Sequence, residues 1–280
     1  MSRLGHGSGA HAGWLRISAL AEKDARELIR NPGAILPAAA MMFGSLFPAF
    51  LVTIGVPMIA GTALEDGEFA DLVAGVLPSM PELAGLSGNA LIQAVVFHQF
   101  ALLLLLVPVV AATALATHAV VGEKQAKALE PLLATPISTK ELLAAKTLTP
   151  FVFALSLTWL SAALYVAGIA AFGEPGVWRV VLGMRTLVLF VILGPLVELA
   201  ALQVSVITSS RANDPRSAQQ LTALLILPIT AVFVAQLIGA FVIPVPALLL
   251  GGAVLLALNA LLLWVGVRVF QRETILTRWR

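Results

Sequence analysis

Long apolar runs separated by short polar stretches dominate the sequence. A helix needs about 20 mostly apolar residues to cross the hydrocarbon core of a bilayer, and every backbone group inside that core must be bonded internally. Six segments reach this length, so the pattern predicts an all-α, polytopic membrane protein with six transmembrane helices. The predicted spans cover residues 33–59, 91–121, 147–172, 186–208, 221–242 and 247–270.

Prolines fall inside these apolar runs. Pro37, Pro48 and Pro57 lie in the first span, and such prolines are tolerated because neighbouring helices can satisfy the freed carbonyl groups. Pro244 and Pro246 lie in the four-residue gap between the last two spans, which predicts a tight hairpin there.

Composition agrees with lipid as the solvent. Hydrophobic residues make up 59% of the 280 residues and charged residues 11%, whereas a soluble domain carries about 25% charged residues. The chain has no cysteine, which excludes disulfides, thiol catalysis and cysteine-based metal sites. The net charge of +2 gives no reason to expect nucleic acid as a partner.

The positions of the basic residues predict an orientation. With the N-terminus inside, 15 of the 17 lysines and arginines fall on the cytoplasmic side, and only Arg179 and Arg185 fall outside. This asymmetry is the positive-inside pattern, and it favours an even number of spans. We therefore expect both termini in the cytoplasm, in a bacterial cytoplasmic (inner) membrane.

The segment before the first span is amphipathic. Residues 1–13 lack the apolar core of a signal peptide and are expected to form a disordered tail. In residues 14–31, Trp14, Ile17 and Leu28 share one helical face, opposite a basic face. This pattern predicts a helix lying in the membrane interface. It fits a plain membrane anchor and also an elbow helix that contacts a cytoplasmic partner.

The connection between the second and third predicted spans, residues 122–138, carries four large aliphatic side chains. They are Leu129, Leu132, Leu133 and Ile137. Solvated loops rarely keep so many, so the pattern favours a docking surface for a partner over a plain loop. Ser138 and Glu141 then form a capping box that opens the third span.

Recognisable catalytic motifs are missing from the sequence. The dipeptide Gly-Lys never occurs, so a phosphate-binding loop for ATP is absent, as are a zinc-protease motif and a hydrolase nucleophile elbow. The four histidines are scattered along the chain, and we expect no metal site. They are His6, His11, His98 and His118.

The segment 122–146 resembles the central signature of type-2 ABC (ATP-binding cassette) transporter permeases. The matching residues are Glu123-Lys124, Leu129-Glu130-Pro131-Leu132-Leu133, Thr135-Pro136-Ile137-Ser138, Glu141-Leu142-Leu143 and Lys146. Residues 209–220 and 270–276 resemble the family's later connector and its C-terminal tail. The family often has Gly-Thr where this chain has Lys127 and Ala128, a departure that bears on partner choice. Some sodium-exporter-type permeases share the Leu-Glu-Pro-Leu-Leu core.

The resemblance implies the permease subunit of an ATP-driven exporter. Residues 122–138 would form a coupling helix seated in a groove of a separate ABC ATPase, and this chain would not be an enzyme. The resemblance also implies two permease copies, as a homodimer, with two ATPases that bind ATP and Mg. The implied coupling residues are Glu123, Lys124, Leu129, Glu130, Leu132, Leu133 and Ile137.

A few polar residues lie inside the predicted spans. Glu198 falls near the middle of the fourth span, where an ionisable group is costly and is expected to face the bundle interior or a wet cavity. It is a candidate ligand for a cation or proton on the translocation path, or a protonated side chain bonded to a neighbouring helix. His98 is a second path candidate. Gln203 and Asn259 are expected to make interhelical hydrogen bonds.

Two further functions stay open from the sequence. An ion-coupled secondary transporter or channel would use Glu198, although such proteins often carry several intramembrane charges and repeated halves. A membrane enzyme, such as an intramembrane hydrolase, would need a catalytic constellation that the sequence does not display.

Overall fold

A computed structural model describes residues 32–61, 69–125, 139–211, 223–238 and 241–269, and residues 22, 26, 30, 64 and 220 singly. This described part is helical and contains no strand. Its α-helices, in chain order, are α1 Pro32–Phe50, α2 Val56–Ala60, α3 Phe69–Val76, α4 Gly88–Phe100, α5 Leu106–Gln125, α6 Thr139–Phe172, α7 Val177–Val181, α8 Met184–Leu187, α9 Gly194–Arg211, α10 Ile226–Leu237 and α11 Val245–Val269.

Several of these helices join end to end through irregular helical turns. Two π-helical segments occur at Leu51–Gly55 and Val188–Leu193, and 3₁₀ segments occur at Leu77–Ser79, Pro81–Leu83, Ala101–Leu105 and Ala223–Leu225. Five of the resulting helices are long and apolar enough to cross a membrane. They are Ile35–Ile59, Gly88–Thr117, Thr147–Phe172, Met184–Ser209 and Val245–Arg268. The expectation of an all-α polytopic membrane protein is confirmed.

The predicted span 221–242 takes a different form. Within it lies α10, an apolar helix of 12 residues. At 1.5 Å per residue, α10 is about 18 Å long, well short of a hydrocarbon core of about 30 Å. The count of six spans therefore stays a prediction.

The two N-terminal segments predicted from the sequence, the tail and the elbow helix, lie almost wholly outside the described residues. Of the predicted elbow helix 14–31, only Glu22, Arg26 and Arg30 are described. Glu22 and Arg26 are helical and form an exposed ion pair one turn apart. The tail 1–13 is outside the described residues entirely.

Each irregular turn inside a span precedes a proline by a few residues. A proline removes the hydrogen bond to the carbonyl four residues earlier and clashes with that carbonyl. For Pro57, Pro108, Pro195 and Pro228 those carbonyls belong to Thr53, Leu104, Val191 and Leu224, which lie in the four irregular segments. The local change to π or 3₁₀ geometry re-routes the backbone bonds that lipid cannot satisfy.

The span Gly88–Thr117, made of α4 and α5, is the centre of the bundle. In its most apolar window 89% of residues are buried, against 17–56% in the other four spans. Its α4 half packs in one hydrophobic cluster with Met42, Ile169 and Leu193. Its α5 half packs in a second cluster with Ala154, Ala201 and Val206. The two clusters divide the bundle into halves, and the division falls at Pro108 on the central span.

An aromatic cluster closes the α4 half of the core. The Phe50 ring lies 5.3 Å from the Phe97 ring and 5.9 Å from the Tyr165 ring, measured between ring centroids. The Tyr165 hydroxyl donates to the Phe97 backbone oxygen at 2.6 Å. Gly168 on α6 makes room for this cluster, because a Cβ atom there would lie 2.6 Å from Cζ of Phe50.

We expect Gly168→Ala to destabilise the folded protein. The added methyl group must push Phe50 into Phe97 and Tyr165, and such overpacking costs roughly 1–3 kcal/mol. Gly44→Ala is the matched control, since a Cβ there meets nothing within 4 Å and alanine favours a helix. Thermal unfolding in detergent should show a lower midpoint for Gly168→Ala alone. Equal midpoints for the two variants would contradict the packing of Phe50.

Candidate functional site

Glu198 lies in the first turns of α9, just after a disturbed stretch of the same span. Pro195 follows the π-helical segment Val188–Leu193, so the chain enters α9 through a widened turn. Turns of this kind often occur at functional sites. The Glu198 side chain is fully buried. Its burial fits the expectation that Glu198 faces the bundle interior or an internal cavity.

Two helices approach the face of α9 that carries this carboxyl group. The carboxyl group itself approaches the backbone of Leu155 on α6. Two turns further along α9, Ser205 Oγ donates to the backbone oxygen of Thr113 on α5 at 3.3 Å. Gly194, one turn before Glu198, also faces α6, since a Cβ there would be in ordinary van der Waals contact with Cγ2 of Thr158, at 3.6 Å. Glu198 therefore lies on the face of α9 that approaches α6 beside it and α5 two turns further along.

Apart from the nearby Leu155 backbone, the carboxyl group has no polar neighbour shown among the described residues. Neither Oε1 nor Oε2 makes a hydrogen bond of standard geometry, and no ion pair of Glu198 occurs in that part of the chain. A buried polar group without a partner costs about 1–3 kcal/mol, and more when it is charged. An ionisable side chain buried inside a membrane-spanning bundle is therefore a candidate functional residue.

Glu198 also lies where the two hydrophobic clusters meet. Leu193, before it on the span, packs in the α4 half of the core, and Ala201, after it, packs in the α5 half. Glu198 itself belongs to neither cluster. The boundary between the two clusters therefore passes close to Glu198 on this span.

One face of α9 continues the polar character that begins at Glu198. Glu198, Ser205 and Ser209 recur at helical spacing on that face, and all three are buried. On α5, Thr113 and Thr117 donate their hydroxyls to the carbonyls of Val109 and Thr113 in their own helix. A line of small polar residues therefore runs along the α5–α9 contact, from Glu198 toward the end of the helices that carries the predicted coupling segment.

The predicted interhelical bonds of Gln203 and Asn259 are confirmed. Gln203 Nε2 donates to Asn259 Oδ1 at 3.0 Å, joining α9 to α11. Asn259 Nδ2 in turn donates to the backbone oxygens of Leu196 and Leu255, both at 2.9 Å. The Gln203–Asn259 pair joins α11 to α9 and makes no hydrogen bond to the carboxyl group of Glu198.

The structure does not bring His98 to Glu198. His98 is buried on α4, where its Nδ1 bonds the Ala94 backbone oxygen at 2.9 Å, and its Nε2 makes no hydrogen bond within the described part of the chain. It interacts electrostatically with Arg185 and Glu82. The two translocation-path candidates thus belong to separate regions, His98 in the α4 half and Glu198 at the boundary.

Other buried polar residues were not predicted. Gln99 Nε2 donates to the Gln236 backbone oxygen and Gln236 Nε2 donates to Gln99 Oε1, both at 3.2 Å, which ties α10 to the central span. Gln93 Oε1 accepts from the Glu174 backbone at 2.8 Å. Arg185, predicted outside, is buried in α8. Isolated glutamines in apolar runs were the available signal, although spacing along one chain cannot pair them.

The predicted coupling residues fall largely outside the described chain. Glu123 and Lys124 lie in the last turn of α5, which continues the second span to Gln125, while Leu129, Glu130, Leu132, Leu133 and Ile137 are not described. On the other side, α6 begins at Thr139, the position that the capping box predicts. The described helices thus leave residues 126–138 as the link between α5 and α6.

Comparisons with known proteins identify no relatives. No protein-family model matches the sequence, and no curated protein matches it either. The resemblance of residues 122–146 to type-2 ABC permeases therefore stays a prediction. Within the described residues, no group of three or more histidine, aspartate or glutamate side chains could hold a metal ion.

We expect Glu198→Leu to stabilise the folded protein by roughly 1–3 kcal/mol, because it removes a buried polar group that has no partner. Gln203→Leu is the matched control on the same helix, and it should destabilise because Asn259 loses its partner. Thermal unfolding followed by circular dichroism in detergent compares the two. If both leucine variants lose stability equally, the Glu198 carboxyl is bonded in the folded protein.

Proposed function

We propose that this chain is the membrane-spanning permease subunit of an ATP-driven ABC exporter. The observation that carries the proposal is the signature in residues 122–146, which stands between two spans as a coupling helix would. The described fold supports it with an all-helical bundle of membrane-crossing helices and with continuous helices on both sides of the segment.

The position of the segment suits a mechanical role. It joins α5 to α6, and both helices pack against the face of α9 that carries Glu198 and Ser205. A movement of residues 126–138 would be transmitted to both helices directly, because each is continuous from the segment into the bundle. α5 carries half of the buried residues of the second hydrophobic cluster, so that part of the bundle would move as a unit against the α4 half. The boundary at Glu198 would then open or close.

This geometry favours a transport path that involves Glu198. The carboxyl group offers the path a polar contact in otherwise apolar surroundings, and the small polar residues of α5 and α9 continue that contact toward the coupling segment. Motion of one half against the other would change which side of the membrane reaches Glu198. ATP binding and hydrolysis, with Mg, would take place on the separate ATPase subunit.

The distribution of charge supports an orientation with both termini in the cytoplasm. Lysine and arginine concentrate at both termini and in the connections 122–146 and 209–220, which we place in the cytoplasm, where ATP is available. Two copies of the chain would form a homodimer with two ATPases in a bacterial inner membrane. The amphipathic segment 14–31 would serve as the elbow helix at the cytoplasmic surface.

We expect Leu132→Asp combined with Leu133→Asp to abolish binding of the ATPase. Two carboxylates on an apolar docking face would have to be buried without partners, at a cost of several kcal/mol. The measurement is purification of the tagged protein from its native membrane in mild detergent, with identification of whatever co-purifies. The wild type should retain an ABC ATPase in a one-to-one ratio, and the variant should lose it.

Ser79→Asp combined with Ala84→Asp is the control, since it adds the same two charges at exposed positions of the loop on the opposite side. This control should keep the ATPase and run at the same size as the wild type. A Leu132/Leu133 variant that still binds its ATPase would overturn the coupling-helix assignment. A wild type that purifies alone as a stable oligomer would overturn the permease assignment.

The unpartnered carboxyl of Glu198 specifically favours a second candidate, an ion-coupled transporter or channel. Purified protein in liposomes, without any ATPase, separates the two functions by uptake of radioactive sodium and by proton flux. For a permease we expect neither flux above that of empty liposomes. A flux present in the wild type and lost in Glu198→Gln would establish the ion-coupled function instead.

A further inference from the structure

A groove of about 570 Å³ opens on the outer surface of the bundle, between α6 and the chain from α7 to the Val188–Leu193 segment. Small side chains of α6 form one wall, among them Ala163, Ala167 and Ala170. Trp159 and Trp178 lie at its two ends. The volume falls within the range of about 300–1,000 Å³ that is usual for sites binding small molecules.

The groove faces the hydrocarbon of the membrane. Its rim residues Trp159, Leu187 and Val191 are 51%, 44% and 59% exposed. Trp159 is nonetheless held in place, because its indole Nε1 donates to the backbone oxygen of Phe190 at 3.3 Å. The groove is therefore a fixed surface feature that membrane lipid can enter without passing through water.

Its length matches one leaflet. Ala170 and Trp159 are 11 residues apart along α6, a distance of about 17 Å at 1.5 Å per residue. Half of a hydrocarbon core of about 30 Å is close to this length. The groove starts near the connection 173–183, which leaves the membrane between α6 and α8, and ends near the middle of the bilayer.

A single hydroxyl in the groove lacks a partner. Thr186 is 1% exposed, lines the groove, and its Oγ1 makes no hydrogen bond among the described residues. Thr53, Thr113, Thr158 and Thr230 donate to the carbonyl four residues earlier in their helices. Thr186 has no such carbonyl in helical register because α8 begins only at Met184. Its Oγ1 atom has almost no exposed surface, so a ligand in the groove reaches the hydroxyl only when the Thr186 side chain rotates.

A cation stands at the same end of the groove. Arg179 is exposed, follows Trp178 directly, and places its guanidinium 5.4 Å from the centre of that indole ring. Tryptophan and arginine at a membrane surface are typical of the headgroup level. A positive charge thus lies beside this end of the groove, next to its lining residue Trp178, and further inward come Thr186 and an apolar channel.

We propose that the groove binds one acyl chain of an anionic phospholipid from the leaflet on that side. The acyl chain lies along Ala170, Ala167 and Ala163 toward Trp159. An ester carbonyl accepts a hydrogen bond from the Thr186 hydroxyl, and the phosphate lies near Arg179. Alanines at this spacing also permit a helix from a second copy of the protein to pack there. An apolar helix would leave both Thr186 and Arg179 without a partner, so the phospholipid is the better fit.

Two tryptophans of nearly equal exposure allow a direct test. Trp159 lies in the groove, and Trp264 lies on the lipid-facing side of α11 with 53% exposure. Variants that keep only one of these two, with every other tryptophan changed to phenylalanine, are placed in vesicles of zwitterionic phospholipid. Increasing fractions of brominated anionic phospholipid then quench the fluorescence, and the curve measures the preference for the anionic lipid at each site.

We expect Arg179→Gln to lower the anionic preference at Trp159 about fivefold, the effect of roughly 1 kcal/mol for one basic residue near anionic lipid. Thr186→Val should also lower it, and Thr186→Ser, which keeps the hydroxyl, should restore it. None of these changes should alter quenching at Trp264. The proposal is overturned if Trp159 responds to the three variants as Trp264 does. It is equally overturned if Trp159 resists quenching while Ala167→Cys cross-links two copies, since a second chain then fills the groove.

Discussion

Backbone hydrogen bonding in a solvent that offers none is the constraint on which this structure depends. Every amide inside the bilayer must find its partner within the protein, which leaves helices as the only spanning element available to these apolar runs. The prolines conflict with this constraint most directly, because each removes one backbone hydrogen bond from its helix. At Pro57, Pro108, Pro195 and Pro228 the helix changes to π or 3₁₀ geometry over the residue whose carbonyl the proline disturbs. The spans stay continuous, but they are no longer uniform.

The same constraint governs the buried polar side chains. Most of the threonines bond a carbonyl of their own helix, and the amides of Gln203, Asn259, Gln99 and Gln236 bond between helices. Among the described residues, Glu198 and Thr186 belong to a small group of buried polar side chains without a hydrogen-bond partner, together with Ser45, Ser209 and Nε2 of His98. Glu198 and Thr186 lie on the same span, on opposite sides of the Val188–Leu193 segment. That segment is therefore flanked by an unpaired carboxyl facing inward and an unpaired hydroxyl in a surface groove.

The division of the core into two clusters connects these features to a possible motion. The central span changes clusters at Pro108, and the fourth span changes between Leu193 and Ala201, with Glu198 between them. A bundle packed as one continuous core would resist any relative movement of its ends. A bundle packed in two halves with a polar residue at the boundary can shift there, and the link 126–138 attaches to the half that contains α5.

Much of the architecture was predictable because lipid makes hydrophobicity a strong signal. The predicted span 91–121 largely coincides with the observed span Gly88–Thr117, and the isolated amides Gln203 and Asn259 predicted interhelical bonds that the structure contains. The sequence predicted less where the apolar length of a segment does not determine how far its helix extends through the membrane. The apolar stretch 221–242 was long enough to cross, yet its helix α10 ends at Leu237 after 12 residues.

The sequence by itself determined the class of protein, the approximate place of the spans and the isolation of Glu198, since these follow from composition and from distances along one chain. Only the tertiary structure decided which helices lie beside Glu198, that His98 belongs to a different region, and that Thr186 opens onto a groove. Such facts depend on which faces of separate helices meet. In a chain that is apolar on nearly every face, periodicity carries little information about that choice.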